Sequence, residues 1–211
     1  MHSHSTTSSR GGVIRWATAY DLFFERISRT SDAKIIALAG IQPGATVLDV
    51  GCGPGSLTRA AQRAAGPQGA AYGIDPATKM VARAQHNARR TGSSAQFQAS
   101  GIEALPFPDR MFDVAMGRLM FHHLNSAQKH AGLRELRRVL KPGGVFLTID
   151  IDIAPNGLVS HLLGHASAGQ MSRVNMDEYA DLYADAGFTN IRTGPTGARF
   201  LSYVRGRTPA D

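Results

Sequence analysis

The clearest chemical signal in this sequence is a glycine-rich loop that follows an acidic residue. Gly51, Gly53 and Gly55 come after the apolar run Thr46–Val50, and Asp49 lies two positions before the first glycine. Because glycine has no Cβ, the backbone of such a loop can pass close to a ligand. A carboxylate at this point would repel a dinucleotide pyrophosphate but attract an ammonium group, directly or through water. The pattern therefore favours a ligand with a positively charged group.

A second acidic residue supports a ligand that contains a ribose. Asp75 directly follows the apolar run Ala70–Ile74, 20 residues after Gly55. An acid at the end of the second strand accepts hydrogen bonds from vicinal ribose hydroxyls in several cofactor classes. Ser56 follows Gly55 directly, so the third glycine of the G-x-G-x-x-G dinucleotide pattern is missing. This spacing, together with Asp49, makes a dehydrogenase the least favoured alternative.

Three basic residues are candidates for contact with the reacting groups. Arg118, His122 and His123 follow the apolar run Phe112–Gly117. Ligands of open α/β sheets bind at the carboxyl ends of the strands, where these residues are expected. A neutral histidine near pH 7 can act as a base, and His122 is the preferred candidate. The alternative is that one of the rings packs on or caps the following helix.

Strand-like and helix-like segments alternate between residues 45 and 150, which predicts a doubly wound, mostly parallel α/β sheet. The predicted strands are Thr46–Val50, Ala70–Ile74, Ala95–Ala99, Phe112–Gly117 and Val145–Asp150, followed by a hairpin of Thr189–Arg192 and Arg199–Arg205 around residues 194–197. The predicted helices are Ser56–Ala65, Pro76–Arg90, Ser126–Leu140 and Met176–Ala186. Such a sheet would bring the glycine loop, Asp75 and the histidines to one edge.

The chain is predicted to form one domain over residues 13–211, after a mobile tail of residues 1–12. Residues 13–40 are predicted to be helical, with Trp16 and Tyr20 on a broad aromatic face that either packs on the sheet or covers a substrate as a lid. Residues 152–174 form no clear element and are predicted to be an insert on the substrate side. His161 and His165 in this insert have the i, i+4 spacing of metal ligands, but no third ligand accompanies them, so no metal is expected.

Composition limits the environments and partners that are expected. The chain has 23 basic and 16 acidic residues, for a formal net charge of +7, but the basic residues are spread along it without interleaved aromatics. A solvated, arginine-rich surface is therefore favoured over a nucleic-acid or membrane surface. No apolar run in the sequence is long enough to span a membrane, and the polar residues 1–10 predict no secretory signal. The single Cys52 fits a reducing environment. We expect a cytoplasmic protein.

Several motifs in order resemble those of the class I S-adenosylmethionine-dependent methyltransferases, specifically the branch that includes the ubiquinone/menaquinone biosynthesis C-methyltransferases. These motifs are VLDVGCGPG (47–55), GIDPATKM (73–80), EALPFPDRMFDVAM (103–116), FHHL (121–124) and LRRVLKPGG (136–144). The resemblance implies a seven-stranded sheet whose last strand is antiparallel. It also implies S-adenosylmethionine as the cofactor, with S-adenosylhomocysteine as the product.

The resemblance further implies roles for individual residues. Asp49 would orient the amino group of the cofactor and Asp75 would bind its ribose. The other residues implied in the cofactor site are Gly51, Cys52, Gly53, Gly55, Pro76, Met80, Gly101, Ile102, Gly117 and Arg118, and those implied in acceptor contact include His161, His165 and Met171. One departure is clear, because relatives usually carry an aspartate where this chain has Gly101. The adenine contact must then come from the backbone, a neighbouring side chain or water.

The predicted function is methyl transfer to a small molecule, with a quinone-like, phenolic, amine or secondary-metabolite acceptor. An RNA-modifying enzyme of the same fold is an alternative, although the segment after the fourth strand begins Gly117-Arg118 and lacks the Asn/Asp-Pro-Pro-Tyr run that serves flipped bases. A non-catalytic relative that keeps the fold is the other alternative. No nucleic-acid partner is expected, and the sequence leaves the oligomeric state open.

Overall fold

Seven strands form one sheet in the computed structural model, which describes residues 32–152, 175–198 and 200–210. The strands are β1 (Thr46–Val50), β2 (Ala70–Asp75), β3 (Gln96–Ala99), β4 (Phe112–Arg118), β5 (Leu140–Ile151), β6 (Thr189–Pro195) and β7 (Leu201–Arg207). The helices are α1 (residues 32–39), α2 (Ser56–Ala65), α3 (Thr78–Arg90), α4 (Ser126–Val139) and α5 (Met176–Asp185), with a 3₁₀ turn at Phe121–His123.

The strand order is β3-β2-β1-β4-β5-β7-β6. Strands β1 to β5 pair in parallel, and β7 is antiparallel to both β5 and β6. The predicted fold class, including the antiparallel last strand, is confirmed. The order reverses between β1 and β4, and the carboxyl ends of strands at such a point leave a crevice in which ligands bind.

The predicted hairpin is present, but its bounds were wrong. Strand β6 continues through Gly194 and Pro195, which pair with Tyr203 and Ser202. Because β6 lies at the edge of the sheet, a proline without an N–H group is tolerated there. The turn comes later, where both the backbone N–H and the hydroxyl of Thr196 donate to the carbonyl of Leu201.

The start of β5 was also predicted too late. Leu140 already pairs with Phe112, whereas the next pair joins Val145 to Val114, so residues 141–144 form a bulge within the strand. Gly143 has a φ of 70° in this bulge. Helix α4 ends at Val139, one residue before its predicted end, and the Lys-Pro-Gly-Gly sequence forms the bulge inside β5.

Helix α3 begins at Thr78 rather than at Pro76. The Oδ1 atom of Asp75 accepts a hydrogen bond from the Ala77 N–H at 2.8 Å, which fixes a turn between β2 and the helix. Pro76 lies in this turn and is exposed. The side chain of Asp75 thus shapes the turn before α3, whereas the sequence predicted that the helix begins at Pro76.

Hydrophobic side chains pack on both faces of the sheet because neighbouring residues of a strand point to opposite faces. Leu48 belongs to one cluster, with Phe146 and Tyr183, and Val47 belongs to the other, with Leu57 and Leu147. These buried faces fix the strands, so the residues at their carboxyl ends are held by a rigid framework. In the described part of the chain, no helix combines the length and apolar character needed to cross a membrane.

Candidate active site

The glycine loop after β1 has one open face and one closed face. All three glycines have positive φ, and a Cβ placed on Gly53 would meet no atom within 4 Å. A Cβ on Gly55 would instead lie 2.7 Å from Phe97 and 2.9 Å from Ala84. Gly55 therefore allows α2 to pack closely against β3 and α3, whereas Gly53 leaves space for a ligand.

Asp49 lies beneath this loop and is almost completely buried, with 2% of its surface exposed. Its Oδ2 atom accepts a hydrogen bond from the Thr58 hydroxyl at 2.6 Å. Burial raises the pKa of Asp49 to about 7, against the opposing effects of the Thr58 hydrogen bond and the positive charge of Arg118. A bound ammonium group would favour the ionised form of this carboxyl group.

Asp75 connects the end of β2 to the glycine loop. Its Oδ2 atom accepts from the Gly53 N–H at 3.0 Å, and its Oδ1 atom accepts from Ala77. The side chain is half-buried, and a carboxylate offers about four lone-pair sites, so it can accept further hydrogen bonds. The two carboxylates and the open face at Gly53 fit a ligand with an ammonium group and a ribose.

Arg118 is held at the end of β4 by two contacts. Its guanidinium group donates to Asp32 Oδ1 of α1 at 2.6 Å and to the Ser56 hydroxyl at the start of α2 at 3.0 Å. Only 16% of the Arg118 side chain is exposed. Arg118 therefore anchors α1 to the edge of the sheet where the glycine loop lies.

His122 is oriented by a buried carboxylate. Its Nδ1 atom lies 2.6 Å from Asp150 Oδ1, and its backbone N–H donates to Asp150 Oδ2 at 3.1 Å. The side chain of Asp150 has no exposed surface. It also accepts a hydrogen bond from the Ile151 N–H at 2.9 Å. In the neutral ring, an ionised Asp150 keeps the proton on Nδ1 and leaves Nε2 as an acceptor.

His123 packs against the His122 ring and does not form the hydrogen bond to Asp150. The two ring centroids are 3.9 Å apart, and His123 is the more exposed of the two residues. Burial of its ring and the neighbouring His122 lower the pKa of His123, which favours its neutral form. The geometry separates the two candidates, because within the part of the chain that the structure describes only His122 has a partner that fixes its tautomer.

Comparisons with known proteins show which family this chain resembles. Residues 47–144 match the family described as "Methyltransferase domain". The chain is also 35% identical over 150 residues to a ubiquinone/menaquinone biosynthesis C-methyltransferase, UbiE, from Hahella chejuensis, a match that covers 68% of this chain and 59% of that protein. Residues 47–144 belong to this methyltransferase family. The resemblance to class I methyltransferases is thereby confirmed.

Solved structures show the same fold for this methyltransferase domain. A putative methyltransferase in complex with the Trm112 activator from Haloferax volcanii has a TM-score of 0.73 at 23% identity, with 97% of this chain and 99% of that chain covered. A SAM-dependent methyltransferase from Aquifex aeolicus has a TM-score of 0.70 at 23% identity, with coverages of 87% and 97%. The comparisons support S-adenosylmethionine as the cofactor of the family. The chain spans less than two thirds of the length of the curated UbiE relative.

The structure also places three other residues that were predicted to contact the cofactor. Ile102 is 3% exposed and packs on α4 at Gly132, so only its backbone is available to a cofactor. Cys52 is buried, its N–H donates to the Ile74 carbonyl, and burial raises the pKa of its thiol far above the usual range. Met80 is half-buried in the first turn of α3.

Sequence reasoning missed two residues of this site, Asp150 and Met120. Asp150 had a detectable signal, because it ends the predicted fifth strand at the same edge as His122. Met120 had none, yet its side chain covers the loop: Cβ atoms on Gly51 and Gly117 would lie 2.6 Å and 3.2 Å from it. The chain reaches this position through Leu119, whose φ of 55° turns the backbone at the end of β4.

The remaining predicted site residues lie outside the described part of the chain. They are Trp16, Tyr20, His161, His165 and Met171, together with the predicted tail and most of the predicted lid and insert. Within residues 32–152, 175–198 and 200–210, no cluster of three or more histidine, cysteine or acidic side chains could hold a metal ion.

Proposed function

We propose that this chain transfers the methyl group of S-adenosylmethionine to a small-molecule acceptor whose nucleophile is deprotonated by His122. The observation that carries this proposal is the pair of His122 and buried Asp150 at the same sheet edge as the glycine loop and Asp75. In this arrangement, cofactor-binding groups follow β1 and β2, and a candidate base follows β4. The crevice between them would hold the acceptor.

The cofactor site is assigned from the chemistry of its donor and acceptor groups. Asp75 would accept from the ribose hydroxyls while it keeps the loop in place through Gly53. Asp49 would balance the ammonium charge from below the loop, through water, because Thr58 and the surrounding core leave it little exposed surface. The open face of Gly53 would let the backbone approach the ligand.

The base would act on the acceptor through His122 Nε2. The bound cofactor supplies a methyl group on a sulfonium, which is already electrophilic. The electron pair of the acceptor forms the new bond to the methyl carbon, the carbon–sulfur pair stays on sulfur, and the acceptor proton moves to Nε2. Asp150 would then stabilise the imidazolium and hold the ring in place. A phenol or a reduced quinone ring suits such a base, because loss of its hydroxyl proton increases nucleophilicity at oxygen and at the neighbouring ring carbons.

The UbiE relative is a ubiquinone/menaquinone biosynthesis C-methyltransferase, which supports a quinone-like acceptor as the first candidate. The similarity covers the methyltransferase domain and only part of that relative, and the same fold accommodates many acceptors. Amines and other secondary metabolites therefore remain within the proposal as further small-molecule classes.

An RNA-modifying activity is the second candidate, based on the net charge of +7. The arginine cluster on α4 gives it limited support. The cluster consists of Arg134, Arg137 and Arg138. Arg138 forms ion pairs with Glu135 and Asp109 at 2.8 Å and 2.7 Å, which neutralise its charge. The other two arginines, Arg134 and Arg137, are exposed.

The test uses S-adenosylmethionine labelled on its methyl group, incubated with the protein and an extract of its host. Products are separated into organic-soluble, small polar, RNA and protein fractions, with the His122→Gln variant and heat-killed protein as controls. We expect label in the organic-soluble or small polar fraction with the unchanged protein only. Label confined to RNA would replace this proposal with the second candidate. Absence of label despite cofactor binding would favour the non-catalytic alternative.

A further inference from the structure

A carboxylate occupies the space above Gly101, although residue 101 itself has no side chain. A Cβ placed on Gly101 would lie 2.6 Å from Glu103 Oε2 and 3.0 Å from Glu103 Oε1. The side chain of Glu103 therefore folds back over the preceding turn of backbone. Gly101 does not have a positive φ, so the local backbone conformation does not require glycine. What glycine provides here is room for this carboxylate.

The turn that carries Glu103 is fixed on both sides. The hydroxyl of Ser100 donates to the carbonyls of Gly101 and Ala104, both at 3.1 Å, and the Leu105 N–H donates to Glu135 at 2.8 Å. Ile102 anchors the turn in the core. The carboxylate is exposed, and among residues 32–152, 175–198 and 200–210 no group donates a hydrogen bond to it.

This turn lies beside the proposed ribose site. Ala99, the last residue of β3, pairs with Asp75, and the Ser100 N–H donates to the Asp75 carbonyl at 3.2 Å. A nucleobase attached to a ribose held by Asp75 would therefore lie near the ends of β2 and β3. An ionised carboxylate only accepts hydrogen bonds, so it would distinguish an amino group on that base from an oxo group.

We propose that Glu103 recognises the 6-amino group of the cofactor adenine, and that glycine at position 101 makes room for it. The inference rests on the proposed cofactor binding and adds the residue that selects adenine. The carboxylate that relatives place on residue 101 would here come from two residues further along, on a side chain one methylene longer that reaches back. Purines with a 6-oxo group would face the carboxylate with an acceptor and bind more weakly.

The test measures binding to the full chain by calorimetry, with S-adenosylhomocysteine and with S-inosylhomocysteine, in which an oxo group replaces the amino group. We expect the unchanged protein to prefer the adenosyl compound by about tenfold or more. In Glu103→Ala, the affinity for the adenosyl compound should fall about tenfold while that for the inosyl compound stays the same or increases. Thermal unfolding of the variant checks that its fold is intact.

A second variant tests whether a carboxylate at this place is sufficient. Gly101→Asp in the Glu103→Ala background should restore the preference for the adenosyl compound, because the backbone at 101 accepts a side chain and the space above it is then free. Gly101→Ala in the same background adds a Cβ without a carboxylate and should not restore it.

The outcomes separate this inference from the proposed function. If the unchanged protein binds S-adenosylhomocysteine and Glu103→Ala keeps the same affinity and preference, the role of Glu103 is wrong while cofactor binding stands. An equal loss for both compounds would also contradict it, because that loss reports a structural effect. If the unchanged protein binds neither compound, cofactor binding and the role of Glu103 fail together.

Discussion

At the scale of single residues, two buried carboxylates of the candidate site, Asp49 and Asp150, have different surroundings. Asp49 shares one short hydrogen bond with Thr58, and burial raises its pKa to about 7. Asp150 is equally buried but accepts hydrogen bonds from two backbone N–H groups and faces the His122 ring. The first carboxylate is therefore sensitive to the charge of a ligand, and the second is suited to hold a ring in one orientation.

Asp49 should make the stability of the cofactor-free protein depend on pH. Its pKa in the folded state, about 7, is above its ordinary value of 3.8, so its contribution is present at low pH and is lost as pH rises through 7. Asp49→Asn keeps an acceptor for Thr58 and removes this titration. Between pH 5 and pH 8, we expect the unchanged protein to lose about 2–3 kcal/mol of unfolding free energy relative to the variant. Urea unfolding at both pH values measures the difference, and parallel curves would contradict it.

The same carboxyl group should make cofactor affinity depend on pH. If an ionised Asp49 balances the ammonium group, the affinity for S-adenosylhomocysteine should rise about tenfold from pH 6 to pH 8. Calorimetry over this range measures the change, and Asp49→Asn should bind weakly at both ends with little slope. A slope that persists in the variant would assign the titration to another group.

His122 should affect methyl transfer far more than cofactor binding. We expect His122→Gln to slow transfer to the acceptor by about a hundredfold or more, while the affinity for S-adenosylhomocysteine changes little. His123→Gln is the matched control and should keep most of the activity. Asp150 is hydrogen-bonded to the ring of His122, whereas the ring of His123 packs against that of His122. Similar losses in both variants would mean that the pair acts through packing on the 3₁₀ turn.

Asp150 is expected to act as a positioning residue through His122. Asp150→Asn should weaken the selection of the tautomer with the proton on Nδ1, which ¹⁵N chemical shifts of the ring detect independently of activity. Thermal unfolding separates this effect from loss of the fold. An unchanged tautomer with full activity would show that the buried carboxylate serves only the backbone of the turn.

At the scale of elements, the glycine loop combines a ligand-facing position with a packing position. The end of β1, the start of α2 and the side chain of Phe97 on β3 all meet here. The loop is tied to β2 by Asp75 and is covered by Met120 from the segment after β4. Each element therefore contributes one wall of the crevice, and the loop can serve a ligand only while these elements stay in register.

Two alanine substitutions should separate these functions of the loop. Gly55→Ala should lower stability by about 2–4 kcal/mol, because its φ is 79° and its Cβ would overlap Phe97 and Ala84. Gly53→Ala should cost only about 1–2 kcal/mol, for its φ of 51° alone, but should weaken binding of S-adenosylhomocysteine strongly. Urea unfolding and calorimetry measure the two effects. Equal stability losses with unchanged binding would show that the open face at Gly53 is not used.

At the scale of the whole molecule, the last strand joins two parts of the sheet because it is inserted between two earlier strands. Strand β7 lies between β5 and β6, and its Val204 is completely buried. The segment after it is also held, since the Gly143 N–H donates to the Pro209 carbonyl and the Thr208 N–H donates to the Gly144 carbonyl. The strand that carries Asp150 thus depends on residues more than fifty positions further along the chain.

Removal of residues 196–211 should therefore destroy cooperative folding. Without β7, the buried strand β5 becomes an unpaired edge and β6 loses its only strand partner in the described sheet, which exposes aggregation-prone backbone. We expect soluble aggregates in gel filtration and no sharp thermal transition. Removal of residues 210–211 is the matched control and should leave both unchanged. A monomeric, cooperatively unfolding product of the longer deletion would contradict this role of β7.

The sequence by itself determined the features that depend on short-range patterns. Apolar runs and glycine breaks located β1, β2 and β4 to within a residue at each end, and identified the glycine loop, Asp49 and Asp75 as candidates. The strand predictions are confirmed because strand periodicity and glycine breaks are patterns of consecutive residues. The exact starts of α3 and β5 were not predictable in this way, because a side chain of Asp75 and a bulge set them.

Only the tertiary structure decided which side chains meet. The contact of His122 with Asp150 spans 28 positions in the chain, and Met120 reaches Gly51 across two neighbouring strands. Glu103 is close to Gly101 in sequence, but whether its side chain folds back over Gly101 depends on how Ile102 and Leu105 are anchored. Such contacts follow from the packing of the sheet and the directions of individual side chains, which no local pattern of residues specifies.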